Sequence, residues 1–157
     1  MSKVNARTAI FEGQSAIIKA RITDDAGTMV SSDGLSSTTA ATGATIKVFD
    51  QRTTPATALN GVTAITAIST PAITDLFTAG GTGYLTTGWR LDSTGYNFLV
   101  VIPDGDGSAF TVPWEGGHTY IVEITVTTAA TISPGTQDEG PISFRVEVKV
   151  DSMLGTT

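Results

Sequence analysis

The amino-acid sequence predicts an all-β protein, and three observations support this fold class. Long segments alternate apolar and polar residues with a period of two, which is typical of strands with one buried face. No segment carries an apolar stripe at helical spacing, because Thr, Val, Ile and Gly interrupt every candidate. Gly, Pro, Asn and Asp punctuate the apolar segments. The 157 residues suit one domain that buries its own core.

The N-terminal third contains two predicted strands. In "SAIIKARIT" (15–23) the apolar residues alternate with polar ones, apart from Ile17. "TDDAGT" (23–28) follows as a turn, in which Gly27 is free to adopt a positive φ. A short strand is predicted at "ATIKVFD" (44–50). The small polar residues of 28–43 predict a long loop with one edge strand.

The C-terminal half carries the strongest strand signals. "TYIVEITVTT" (119–128) and "PISFRVEVKV" (141–150) alternate regularly, so a slip of one residue would move Arg145, Glu147 and Lys149 into the core. "YNFLVVIP" (96–103) is apolar on both faces, which indicates a central strand covered on both sides or an interface strand.

The remaining segments are less regular. Residues 51–95 form an elaborated middle, with weak strand signals around 62–68 and at "ITDLFT" (73–78). Residues 1–9 and 151–157 contain little that would anchor them, so we expect an N-terminal arm and a C-terminal tail.

The segment "GGHTYIV" (116–122) and the strands around it resemble the end of an immunoglobulin-like β-sandwich. In that fold a tyrosine near the start of strand F turns its hydroxyl back to the preceding loop, and Tyr120 stands at this position. The inward position two residues later, often a cysteine, is Val122 here. Residues 15–50, with the "D-x-x-G" turn, and 96–150 resemble immunoglobulin-like domains of bacteriophage virions and bacterial surface proteins. The resemblance implies an antiparallel sandwich with residues 51–95 as an insertion.

Composition argues against several classes of function. The net charge of −6 and the scattered Lys and Arg leave no basic stripe for nucleic acid. No apolar segment approaches the length of a membrane helix, and the N-terminus carries no apolar signal-peptide core. With no cysteine, the chain has neither a disulfide framework nor a thiolate ligand. The low charged fraction of 15% suits persistent contact with neighbouring proteins, or equally an ordinary β-protein solubilised by threonine.

Catalytic and metal-binding interpretations have few residues to rest on. His118, the only histidine, lacks a GxSxG elbow or further nitrogen and sulfur ligands elsewhere in the chain, so we interpret it as a polar turn residue before a buried strand. In "PDGDG" (103–107), Asp104 and Asp106 form a weak calcium candidate, although a turn in which Gly105 and Gly107 adopt positive φ explains the same residues. "GGTGYLTTG" (80–88) lacks the Lys and Ser/Thr of a phosphate-binding loop.

Aromatic residues in irregular segments are the best candidates for a partner surface. They are Phe77, Tyr84, Trp89 and Trp114. Such side chains anchor protein interfaces or stack on sugars, and the alternative for Trp114 is a plug at the end of the sandwich.

The sequence therefore predicts a non-enzymatic bacteriophage structural protein without cofactors. We expect a capsid decoration protein or a head–tail neck component, located in the virion and made in the host cytoplasm. Its partners would be further copies of itself and other virion proteins (capsid, portal or tail), with no direct contact to nucleic acid or membrane. The alternative is a carbohydrate-binding or host-attachment module that uses Tyr84, Trp89 or Trp114.

Overall fold

The computed structural model describes residues 6–24, 27–32, 39–52, 66–67, 76–77, 96–106, 110–129, 131–132, 137–138 and 141–153. All elements whose bounds fall in these ranges are β-strands, so the fold class is all-β. They are β1 (Ala6–Phe11), β2 (Ala16–Ala20), β3 (Val30–Ser31), β4 (Thr39–Asp50), β5 (Thr66–Ala67), β6 (Phe98–Ile102), β7 (Thr119–Thr128), β8 (Thr131–Ile132), β9 (Gln137–Asp138) and β10 (Ile142–Asp151).

The larger sheet has six strands. Its order is β1-β10-β7-β4-β3, and β5 also pairs with β4. β7 lies between β10 and β4 and is antiparallel to both, whereas β1 runs parallel to β10. The register places Val122 of β7 between Val146 of β10 and Val48 of β4, so one face of three adjacent strands is apolar. The predicted register of the last two long strands is confirmed.

The second sheet consists of β2 and β6, which pair antiparallel. Its inner face packs on the apolar face of the larger sheet, and both contribute to one core cluster. The inner residues are Ala16, Ile18, Phe98, Val100 and Ile102. A two-stranded sheet is at best marginally stable by itself, so this pair depends on the larger sheet for its stability. β8 and β9 pair only with each other among the described strands.

Both ends of the chain are more tightly held than the sequence predicts. Of the arm expected at residues 1–9, residues 6–9 belong to β1 and align with Val146–Lys149 of β10. Asp151 likewise ends β10, so the tail expected at 151–157 begins no earlier than Ser152. The reason is backbone pairing, since parallel alignment with β10 satisfies main-chain groups that side-chain patterning does not reveal. Residues 1–5 and 154–157 lie outside the described residues.

The loop expected at 28–43 is also shorter than predicted. β4 begins at Thr39, and the edge strand expected within this region is β3, which runs parallel to the start of β4. The register shifts between Ala41 and Gly43, which marks a β-bulge. The bulge interrupts the period of two, so the first part of the strand carries no regular alternation in the sequence.

Two strands depart from the expected pattern of burial. β6 was expected to be covered on both sides if central, but Val101 is 42% exposed. β7 was expected to have one solvated face, yet Ile121 is buried together with its cross-strand partner Phe49. The alternation in a single strand does not reveal which apolar residues on its polar face are buried, because their burial depends on segments that are distant in sequence.

Asn97, directly before β6, forms the best-connected polar group in the core. Its side-chain amide donates to the carbonyls of Ile22 (2.8 Å) and Val30 (2.6 Å), and its Oδ1 accepts from the Ile22 N–H (2.7 Å). It therefore fixes β6 to the segment after β2 and to β3 of the larger sheet. Buried amides need such partners, since an unpaired one costs about 1–3 kcal/mol.

The burial pattern of β7 yields a direct test of the register. Val122→Asp would place an unpaired carboxylate in the core and should lower the free energy of unfolding by roughly 3 kcal/mol or more. Thr127→Asp, on the exposed face of the same strand, should change it by less than about 1 kcal/mol. Urea denaturation followed by circular dichroism measures both, and equal tolerance of the two substitutions would contradict the register.

Candidate functional site

Trp114, one of the partner-surface candidates, is a core residue, in agreement with the alternative of a plug at the end of the sandwich. The side chain is 1% exposed, and its indole N–H donates to the carbonyl of Ile102 (3.1 Å). Its ring packs edge to face against Tyr120, with 4.9 Å between centroids. Burying a large aromatic side chain whose polar atom finds a partner is strongly favourable, which explains why the loop turns this residue inward.

Of the other predicted aromatic residues, Phe77 lies among the described residues. It is fully buried, so its prediction as a partner-surface residue is wrong. It bridges to Phe98 of β6, and the two rings meet edge to face at 5.2 Å. The apolar contact with β6 explains the burial, because the residue closes the core beside that strand. Tyr84 and Trp89 lie outside the described residues.

The calcium candidate is part of a turn that holds Trp114. Asp104 Oδ1 accepts the main-chain N–H of Trp114 (2.9 Å), so this carboxylate stabilises the loop after β6. Gly105 does not adopt the expected positive φ; a Cβ there would lie 2.7 Å from the Cβ of Thr111, and close packing is the reason for glycine. The described residues contain no group of three or more His, Asp or Glu able to hold a metal ion. Gly107 lies outside these residues.

Tyr120 anchors the loop before β7, as expected from the resemblance. Its hydroxyl donates to the carbonyl of Pro113 (2.7 Å) and accepts the N–H of Glu115 (3.0 Å). The following turn needs Gly117 at φ +80°, a conformation that favours glycine. The hydroxyl thus satisfies two main-chain groups of the loop between Val112 and β7.

His118 does precede the buried strand at a turn, but its side chain does more than the sequence suggests. The ring is buried, and Nδ1 lies 2.8 Å from Asp50 Oδ2 at the end of β4. Nε2 lies 2.7 Å from a guanidinium nitrogen of Arg52 and 3.2 Å from Glu115 Oε2. We call these four residues the corner cluster. No local pattern in the sequence indicates this cluster, because β4 and β7 meet only through the sheet register.

The corner cluster has the geometry of a structural anchor. With a neutral ring, Nδ1–H donates to Asp50 and Nε2 accepts from Arg52. A carboxylate that orients a histidine is also found in hydrolytic triads, which need a nucleophile at Nε2. The described neighbours of Nε2 are a guanidinium and a carboxylate, and neither is such a nucleophile. These hydrogen bonds join the end of β4 to the turn before β7.

An open cleft of about 500 Å³ lies beside the corner cluster. Its walls include Pro113 and Trp114, and its carboxylates are Glu12, Asp104 and Glu115. Asp104 accepts the main-chain N–H of Trp114, and Glu115 Oε2 lies 3.2 Å from His118 Nε2. The cleft is therefore lined in part by groups that hold the loop before β7.

The outer face of the β2–β6 sheet carries exposed apolar side chains; among the described residues, Phe11 and Met153 are large exposed apolar side chains that lie elsewhere. Ile17 is 55% exposed and lies directly opposite Val101 in the register. The half-buried Leu99 follows on the same face, opposite the exposed Lys19. We call Ile17, Leu99 and Val101 the apolar strip. The sequence does indicate the apolar strip. Ile17 breaks the alternation of β2, and Leu99 and Val101 make the second face of β6 apolar.

Comparison with protein-family models, with curated proteins and with solved structures found no match for this chain. Among the described residues, no helix is long and apolar enough to cross a membrane.

The geometry of the corner cluster predicts that the contact of His118 with Asp50 contributes more to stability than its contact with Glu115. His118→Ala leaves the Asp50 carboxylate largely buried without its histidine and should cost about 1–3 kcal/mol of stability. Glu115→Gln, whose side chain is 65% exposed, should cost less than about 1 kcal/mol. Thermal and urea unfolding compare the variants; a larger effect of the Glu115 change would show that the exposed contact dominates.

Tyr120 predicts a loss of stability at alkaline pH. Burial raises the pKa of its hydroxyl, an effect only partly offset by the hydrogen bond from the Glu115 N–H. As the pH rises, Tyr120 therefore ionises in the unfolded chain before it ionises in the folded protein. The contribution of its hydroxyl to folding stability is complete below about pH 10 and is lost as the pH rises through the higher pKa of the folded state. Tyr120→Phe should cost about 1–2 kcal/mol at neutral pH. Urea titrations between about pH 9 and pH 11 should show a smaller alkaline loss in this variant than in the wild type; an equal loss would assign the effect to other groups.

Proposed function

We propose that the protein is a non-enzymatic structural component of a bacteriophage virion, built as an immunoglobulin-like sandwich. It acts by self-association and by docking on a larger assembly, as a capsid decoration protein or a head–tail neck component. The observation that carries this proposal is the apolar strip on the outer face of the β2–β6 sheet, where Ile17 and Val101 are adjacent and both exposed.

Strand order supports the immunoglobulin-like part of the proposal. In that fold strands C, F and G lie side by side in one sheet while B and E pair in the other. Here β4, β7 and β10 are neighbours in that order, and β2 pairs with β6. The hydroxyl of Tyr120 bonds back to Pro113, as the tyrosine at the start of strand F does in many such domains.

The apolar strip supports docking. Threonine favours strands as isoleucine and valine do, so strand propensity does not require apolar residues at Ile17 and Val101. Packing inside the chain does not explain their apolar character either, because both side chains lie on the outer face. Neighbouring exposed apolar residues with polar surroundings are typical of interaction surfaces. Covering each would contribute about 1–2 kcal/mol to association.

The corner cluster supports a role without catalysis, because both ring nitrogens of His118 have partners in their own chain, Asp50 and Arg52. The carbohydrate-binding alternative loses one of its three aromatic residues, since the buried face of Trp114 is not available for stacking on a sugar. No observation on the described residues favours that alternative.

The decisive measurement is association of the purified protein and of a strip variant. Sedimentation velocity over a wide concentration range should show self-association, and co-sedimentation should show binding to capsid, portal or tail proteins encoded by neighbouring genes. The double change Ile17→Thr with Val101→Thr should weaken these associations by roughly tenfold or more while leaving the fold intact.

Met153→Thr is the matched control, because it removes an exposed apolar side chain that lies outside the strip. It should leave association unchanged. A wild-type protein that stays monomeric at high concentration and binds no virion protein would refute the proposed function.

A further inference from the structure

We propose that the groove between β1 and β2 binds an extended segment of a different protein, which adds to the free edge of β2 and alternates apolar with acidic residues. This deepens the proposed function by assigning the chemistry of the docking partner, and it rests on that function only for the partner's place in an assembly.

The groove opens onto the core between the two sheets. It has a volume of about 180 Å³ and is lined by Ala6, Arg7, Thr8, Ile17, Ile18, Lys19 and Val146. Ile18 and Val146 belong to the core cluster, one from each sheet, so the groove is floored by apolar side chains. An apolar side chain entering from outside would extend the core rather than rest on a polar surface.

The strands that flank the groove both offer a free edge there. Among the described strands, β1 pairs only with β10 and β2 pairs only with β6. Every second residue of such an edge directs its N–H and C=O groups outward, where an added strand can pair with them. The edge of β2 is the better site for an added strand, because its sheet has only two strands and gains more stability from a third.

Addition to β2 determines the pattern of the incoming strand. Its side chains would point alternately toward Ile18 and Val146 in the groove and toward the outer face beside Ile17 and Lys19. Apolar residues suit the inner positions. The outer positions face cations, since Lys19 and Arg21 of this segment are both exposed.

Charge also distinguishes the occupant from a second copy. Edge-to-edge pairing of two β2 strands would bring Lys19 and Arg21 of both copies together, and like charges across a strand pair are destabilising. Arg7, on the opposite wall, has a side chain that is 77% exposed although it pairs with Glu147 (3.3 Å). A cationic rim on a chain of net charge −6 fits an acidic segment.

The experiment uses synthetic peptides of about nine residues with blocked ends, long enough to span the edge of β2. One peptide alternates valine and glutamate, and the other alternates valine and lysine. Fluorescence anisotropy and two-dimensional amide NMR of the full chain measure binding. The glutamate peptide should bind at least about tenfold more tightly, should weaken as salt is added, and should shift amide signals of β1 and β2.

Strand geometry is tested with two N-methylated glutamate peptides, methylated on alternate sets of amides. Only the amides that face β2 donate to its edge, so one isomer should bind and the other should not. Equal binding of the two isomers, or equal binding of the glutamate and lysine peptides, would overturn the proposal.

Exposed side chains provide the matched variants. The double change Arg7→Gln with Lys19→Gln should weaken binding of the glutamate peptide by roughly tenfold, whereas Lys47→Gln on β4 should leave it unchanged. An equal effect at Lys47 would indicate unspecific attraction and overturn the proposal. If the glutamate peptide fails to bind while the protein still associates through the apolar strip, this inference is refuted and the proposed function stands. If the peptide binds but the protein associates with no partner, the inference stands and the proposed function is refuted.

Discussion

The inner face of the β2–β6 pair must be covered by the larger sheet, and most of the structure follows from this constraint. Two strands alone bury too little to be stable, so Ile18, Val100 and Ile102 need the apolar face of β10, β7 and β4 beneath them. Because successive side chains of a strand point to opposite faces, fixing the inner set also fixes the outer set. Ile17 and Val101 are therefore exposed by the register, whatever surface they later meet.

Polar contacts fix the loops that the strands leave free. Tyr120, Asp104 and Asn97 each satisfy main-chain groups beyond the ends of the ladders, and each lies next to a buried strand. His118 and Asp50 join the end of β4 to the turn before β7. Such groups stabilise mainly by avoiding unpaired polar atoms, since one buried unpaired group costs about as much as several surface ion pairs contribute.

The sequence predicted those parts of the fold that depend on local alternation. The all-β class, the turn with Gly27 at positive φ, and the register of β7 on β10 follow from spacing that a single segment displays. The parallel pairing of β1 with β10 was missed, because it depends on main-chain contacts between the two ends of the chain. The corner cluster was missed for the same reason: Asp50 and His118 are distant in sequence, and only the pairing of β4 with β7 brings them together.

Burial also explains why Trp114 and Phe77 do not lie at the surface. Large aromatic side chains gain most from leaving water, so Trp114 and Phe77 are the residues that a fold with space at its ends draws into the core. An aliphatic residue that breaks the alternation of its strand cannot turn into the core in the same way, because a shift of register that moved it inward would also move its polar neighbours inward. Ile17 is therefore the more informative residue, since the register alone keeps it outside. The same register places it between a cationic edge and an apolar face, and a partner that covers it has to satisfy both.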